Sequence, residues 1–168
     1  MAAASSPAVE APSTRSRPVC RVAAGPEELA RHFAIRRAVF CAEQGMFGGV
    51  DDRDARDDAP ETLHAVGAEG AVVGGTVRLY PLDGDGLWQG DRLAVLPVFR
   101  RTSLGGALVR FAVRTAGARG GKRMVAMIQL PNVRFFLALG WSLDGPVVEF
   151  HGREHQPMAI ALSPGPDG

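Results

Sequence analysis

The chain has 168 residues, 46% of them hydrophobic, which is enough for one domain with a sizeable core and too few for two comfortable ones. Its 19 Lys and Arg balance 18 Asp and Glu, and the basic residues are scattered among acids instead of forming a stripe, so nucleic acid and anionic membranes are not favoured partners. Cys20 and Cys41 have neither metal-ligand spacing nor the look of a disulfide framework, which makes a reducing cytoplasm the expected compartment and small apolar packing their expected role.

Residues 1–18 are rich in Ala, Ser and Pro without a long apolar run; they read as a disordered tail, neither secretory signal nor membrane anchor. Val19 to Ala23 is a short strand candidate. Pro26-Glu27-Glu28 after Gly25 has the proline and early acids of a helix start, with Leu29, Phe33, Val39 and Phe40 facing inward. Gly45 to Pro60 is polar and crowded with aspartates, so it reads as a loop. The run Asp51 to Asp58 lacks the Gly turn and terminal Glu of a calcium loop and is expected to be solvated, with a negative field suited to a cationic amine.

Thr62 to Ala68 and Ala71 to Leu79 read as strands joined by a Glu69-Gly70 hairpin turn, and Gly86 to Val95 as a third strand. A helix follows from Leu104 to Ala116, ended by Gly117, Gly120 and Gly121. Arg123 to Ile128 is a buried strand. Pro131 opens a short helix through Leu139 that Gly140 stops, and Val147 to Phe150 and Gln156 to Leu162 are the last strands. Residues 164–168 read as a frayed end, leaving 19–163 as the domain.

The most telling stretch is Leu93 to Leu108, where an apolar strand passes through Pro97 and a basic, Gly-containing loop straight into a helix. A helix start carries unpaired N–H groups and the positive end of the macrodipole, so an anion placed there is bound with little help from side chains. Arg100 and Arg101 add charge, Ser103 is placed to cap, and Gly105 with Gly106 permits close approach of a ligand. The loop is neither a GxxxxGK phosphate loop nor a GxGxxG turn.

Val95, Pro97, Arg100 and Gly105 resemble the VxPxxRxxGxG acyl-CoA pyrophosphate loop of the GNAT acetyltransferases, with Ser103 where that family has its first glycine. Arg36 to Gln44 resembles the RxxVFxxEQ segment of a small bacterial subgroup, as do Gly152, His155 and Met158 its GxxHxxM ending; a narrower likeness is to acetyltransferases of nitrilase-type, nitrogen-starvation gene clusters. The resemblance covers about Val19 to Leu162. It implies an α/β fold with a mixed central sheet splayed around an acyl-CoA site and flanked by helices, matching the element order above.

It also implies an enzyme: an N-acyltransferase moving an acetyl group from acetyl-CoA, its co-substrate, to a small amine by direct attack, with no metal. Ala94, Val95, Arg100, Arg101, Thr102, Ser103, Leu104, Gly105, Gly106 and Asn132 are the expected cofactor contacts. Glu43 and His155 are the catalytic candidates, and Arg36, Arg92 and Gln129 the candidate acceptor contacts, Arg36 being equally placed to pair with the following aspartates. Many members protonate the leaving thiolate with a tyrosine; here Phe136 stands at that place before Gly140-Trp141, and Tyr80 is the chain's one tyrosine. A homodimer is the candidate assembly. The alternatives are an acyl-homoserine-lactone synthase, suggested by Arg36, Phe40, the aspartate loop and Val77-Arg78-Leu79, and a non-catalytic acyl-CoA-binding subunit.

Overall fold

The computed structural model describes residues 16–165, so most of the expected N-terminal tail and the last three residues lie outside it. Strand β1 (Val19–Val22) leads into α1 (Gly25–Arg36), whose first turn holds a proline, Glu27 and Glu28. Those acids sit where the positive helix end favours them, and Glu28 also accepts the Ala24 N–H at 3.0 Å. The helix then widens without a break into a π-helical stretch, Arg37–Glu43. Phe33, Val39 and Phe40 are buried as expected, whereas Leu29 is only partly covered.

Strands β2 (Leu63–Glu69) and β3 (Val72–Pro81) form the expected hairpin, with Gly70 at φ +58° in the turn, and β4 (Leu87–Val95) continues the antiparallel meander. A short turn at Pro97–Phe99 connects to α2 (Leu104–Ala118), then β5 (Arg123–Gln129), a turn at Leu130–Asn132 and α3 (Val133–Ala138). Helix α2 passes through Gly117 and is left at Gly120, whose φ is +87°. Strands β6 (Ser142–Leu143), β7 (Val148–Phe150) and β8 (Arg153–Ala161) complete an eight-stranded mixed sheet in the order β1-β2-β3-β4-β5-β8-β6, with β7 also on β8. The two-residue β6 is too short for a period-two pattern and was not foreseen.

Among the described residues, all strand pairings but one are antiparallel. The exception is β4 with β5, which pair in parallel only over Leu87–Gln89 against Arg123–Val125 and part beyond it. On one face, α2 and α3 cover a core of Leu79, Leu104, Leu108, Met124 and Met158; on the other, α1 and its π-helical extension cover Val66, Ala68 and Ala94. The parted strands therefore open a passage from one face of the sheet to the other.

The aspartate segment departs from expectation. It is folded into short turns at Phe47–Gly49 and Ala55–Asp58, and Asp52 and Asp57 are buried, because the arginines beneath need counter-charges once dehydrated.

Candidate active site

The cradle begins where β4 ends. Phe99 is seated on β3 at Gly74, where any Cβ would collide with its ring, and Leu104 and Leu108 pack against Gly67 and Gly75, so three side-chain-free positions bring the start of α2 down onto the sheet. Thr102, not Ser103, caps the helix: its Oγ1 donates to the Phe99 carbonyl at 2.7 Å and accepts the Leu104 N–H at 3.3 Å. Ser103 makes no side-chain cap, which corrects that expectation, and with φ −79° it needs no glycine. No acid lies in the first turn of α2, so its positive end is uncompensated by its own side chains. A Cβ on Gly105 would meet only Phe135 at 3.6 Å and Val95 at 3.7 Å, so folding does not demand glycine there.

Arg101 is exposed and forms no ion pair among the described residues. The Arg110 guanidinium, one turn on, leans back over Gly106, 3.2 Å from where a Cβ would stand. Sequence reading missed Arg110; the i, i+4 spacing from Gly106 is the signal that would have found it. Arg100 is already engaged, its Nε donating to the Val95 carbonyl at 3.0 Å and its Nη atoms to both Glu43 oxygens at 2.5 and 2.6 Å. Leu104 is wholly buried, so only its backbone faces the cradle.

A cavity of about 360 Å³ fills the passage between β4 and β5. Phe40, Phe47, Tyr80, Asp91, Arg92, Phe150 and His155 line the α1 side, and Leu93, Val109, Ala112, Phe136 and Trp141 the α2 side. Asn132 and Gln129 stand at the rim, and Gln129 Nε2 donates to Gln44 Oε1 at 2.9 Å across it. Arg36 and Glu43 do not line this cavity.

His155 is buried, and its Nδ1 donates to the Arg153 carbonyl at 2.8 Å. A carbonyl can only accept, so in the neutral ring Nε2 keeps the lone pair, the state a general base needs. Phe136 stacks edge-on to Trp141 at 5.3 Å, and the Trp141 indole N–H is buried without an acceptor among the described residues.

Behind the α1 side lies a charge network in which Arg36, Arg78, Asp52 and Asp57 are buried and Asp54 is exposed. Arg36 donates to Asp52 at 2.7 Å and to both Asp57 oxygens at 2.7 and 3.1 Å; Arg78 donates to Asp54 and Asp91; Arg92 donates to Asp52 at 3.0 Å. Burial alone would raise the Asp57 carboxyl, yet hydrogen bonds from His64 and Arg36 outweigh it and hold it well below the usual carboxylate range. Burial also pushes His32 down to about 3, keeping it neutral: Nδ1 donates to the Ala65 carbonyl at 2.9 Å and Nε2 accepts from Arg36 at 3.2 Å. Burial beside Asp91 raises the Tyr80 hydroxyl to about 12, so it stays a donor, to Asp91 at 3.1 Å. Arg36 is thus structural, and its apolar-strand counterpart Arg78 shows the sequence signal for such a network: a charge inside Val77-Arg78-Leu79.

Strained backbone gathers at the same place. Among the described residues the non-glycine residues with positive φ are Phe47 (+55°), Arg92 (+51°) and His151 (+48°). They touch one another through Phe47: the Arg92 guanidinium lies 4.6 Å from its ring centre and the His151 ring 4.2 Å. Arg92 is also the bulge that shifts the β3–β4 register, pinned by Thr76 donating to its carbonyl at 3.0 Å. Such strain costs on the order of 1–3 kcal/mol per residue and persists where the surroundings enforce it, commonly at ligand sites.

A family model described as "Acetyltransferase (GNAT) family" matches residues 29–141. No curated protein matches the chain by sequence. Among solved structures, a Lactobacillus plantarum protein proposed to be an N-acetyltransferase is 24% identical, covering 86% of this chain and 98% of its own, with a TM-score of 0.76. An aminoglycoside 6'-N-acetyltransferase complexed with coenzyme A is 16% identical, covering 89% and 99%, with a TM-score of 0.69. The CoA-dependent acyl-homoserine lactone synthase BjaI is 19% identical, covering 80% and 75%, with a TM-score of 0.66. At these identities the likeness is one of fold.

Proposed function

The chain belongs to the GNAT acetyltransferase family, and we propose that it is an N-acyltransferase that moves an acyl group, acetyl in the simplest case, from acyl-CoA to the amine of a small molecule. The observation that carries the reading is the parting of β4 and β5 beside an acid-free helix N-terminus, which sets an anion cradle and a passage through the sheet end to end. In this reading, the N–H groups of Ser103, Gly105 and Gly106, with the Arg101 and Arg110 side chains, hold the pyrophosphate, while the Thr102 and Leu104 N–H groups are spent on the turn itself. The pantetheine arm runs along the open edge of β4 past Val95 and Ala94, with Asn132 on its other side. Arg100, tied to Glu43, fixes the loop.

The amine enters from the Phe47, Tyr80 and Asp91 side, with Gln129 and Arg92 at its margin. Its nitrogen attacks the thioester carbon, the C–S bond breaks, and the amine's proton passes to His155 Nε2. Backbone N–H groups at the β4 bulge polarise the thioester oxygen. Phe136 has no proton for the thiolate, so water serves. The narrower kinship to nitrogen-starvation acetyltransferases rests on Arg36 to Gln44 and on Gly152, His155 and Met158. A reducing, cytoplasmic setting suits the two unpaired thiols. The test is a screen of small amines with acetyl-CoA, reading release of free CoA thiol; turnover on an amine supports the reading, and none across amine classes opposes it.

A second reading, an acyl-homoserine-lactone synthase, is favoured by the network joining Arg36 and Arg78 to the aspartate loop behind Phe40. S-adenosylmethionine offered as the amine separates the two: a lactone product selects the synthase, an N-acyl amine without ring closure the acetyltransferase.

A further inference from the structure

The cavity does not end where a thioester needs it to. Taking the bulge at Arg92 as the level of the thioester, the cavity continues along β4 through Asp91 and Gly90 to Gln89, where β5 closes it by pairing with Val125. Those three residues span about 10 Å, the length of an extended chain of roughly eight carbons. Acetyl needs a fraction of that.

The walls of this deep end come from the α2 face of the sheet: Val109 and Ala112 on the helix, Met124 and Ala126 on β5, and Trp141. All are buried. Gly90 forms the floor without a side chain, and a Cβ there would stand 3.1 Å from the Met124 sulfur, so the smallest addition starts to fill the space. The Gln89 amide donates to the Gly90 carbonyl at 3.3 Å. An apolar recess lined by an unbranched, adaptable methionine and small residues suits hydrocarbon, not a second polar substrate. Tyr80, Asp91, Arg92 and His155 lie on the opposite, α1 side, Gln129 and Asn132 stand at the rim, and the Trp141 N–H is the polar group that the α2 side contributes.

We infer that the acyl group this enzyme accepts is an aliphatic chain of about four to eight carbons, seated between β4, β5 and α2, with Gly90 and Ala112 setting its length. The inference rests on the acyl-CoA reading above and refines its donor. Calorimetric titration of CoA, acetyl-CoA, butyryl-CoA, hexanoyl-CoA and dodecanoyl-CoA into the wild-type protein tests it without an acceptor. Burial of each added methylene strengthens binding about three- to fourfold. The expected result is at least tenfold tighter binding of hexanoyl-CoA than of acetyl-CoA, with the gain lost at dodecanoyl-CoA. Ala112→Leu, its melting temperature checked, should bring hexanoyl-CoA back toward acetyl-CoA. Equal affinities for acetyl- and hexanoyl-CoA in the wild type, with CoA itself bound, overturn the chain-length inference alone. No binding of CoA at all overturns the acyl-CoA reading and the inference with it.

Discussion

The Glu43 carboxylate grips the Arg100 guanidinium through two charge-assisted hydrogen bonds of 2.5 and 2.6 Å, tying the end of the first helical segment to the cradle loop across 57 residues of sequence. Arg100 beside Glu43 holds its carboxyl below the usual carboxylate range, and an ionised, occupied carboxylate is a poor proton acceptor at neutral pH. Glu43→Gln is therefore expected to keep the shape of the pH–rate profile, whereas His155→Gln lowers kcat by about 10²-fold or more with CoA affinity retained. Loss of the acidic limb in Glu43→Gln would make Glu43 the base.

Phe47 joins the strained residues and lines the cavity on the side proposed for the acceptor. Phe47→Ala removes the ring under Arg92 and beside His151. It should raise the acceptor KM by about tenfold, the equivalent of roughly 1.4 kcal/mol, while leaving CoA affinity alone. A change in CoA affinity with acceptor KM intact would place the acceptor elsewhere.

The neutral His32 makes stability sensitive to acid. Its folded value of about 3 lies below the ordinary 6.5, so as pH falls through 6.5 the unfolded chain takes up the proton and the folded chain does not. Stability is full above about 6.5 and falls toward pH 3 by up to about 1.4 kcal/mol per pH unit. The Asp57 contribution, with a folded value held low, is present above the unfolded carboxyl range near 3.9 and is lost in stronger acid. Urea midpoints at pH 7.5 and 5.0 should therefore differ in the wild type and differ less in His32→Gln; an unchanged gap would remove His32 from the account.

Phe136 lines the cavity, and in the proposed reaction it stands where a hydroxyl would serve the leaving thiolate. Phe136→Tyr is expected to leave CoA affinity near wild type and raise turnover by up to roughly 10²-fold. An unchanged rate in stopped assays with the amine found by screening would mean that thiolate protonation does not limit the reaction.

The passage from β4 into α2 and the order of elements along the chain were readable because they are local: Val95, Pro97, Gly105 and the apolar runs around them carry their meaning within a few residues. The charge network was not, since Arg92 meets Asp52 across 40 residues and Arg78 meets Asp54 across 24, and only the fold decides which acids are buried. For that reason the aspartate segment looked solvated. The π-helical widening at Arg37–Glu43 has no counterpart in a 3.6-residue pattern, and β6 exists only by its pairing to Ala159 and Met158. At the cradle itself, Ser103 and Thr102 are both good caps by type, and the choice between them is made by the Phe99 carbonyl.

The most direct test is calorimetric titration of CoA into the wild type, Gly105→Ala and Gly105→Trp, with melting curves for all three. Packing leaves room for a Cβ at Gly105, so the alanine variant should melt as the wild type does. The account predicts saturable one-to-one binding in the wild type, weakened in Gly105→Ala and abolished in Gly105→Trp. Equal CoA affinity in all three proteins, or no binding to the wild type, would contradict the placement of the cofactor at the start of α2.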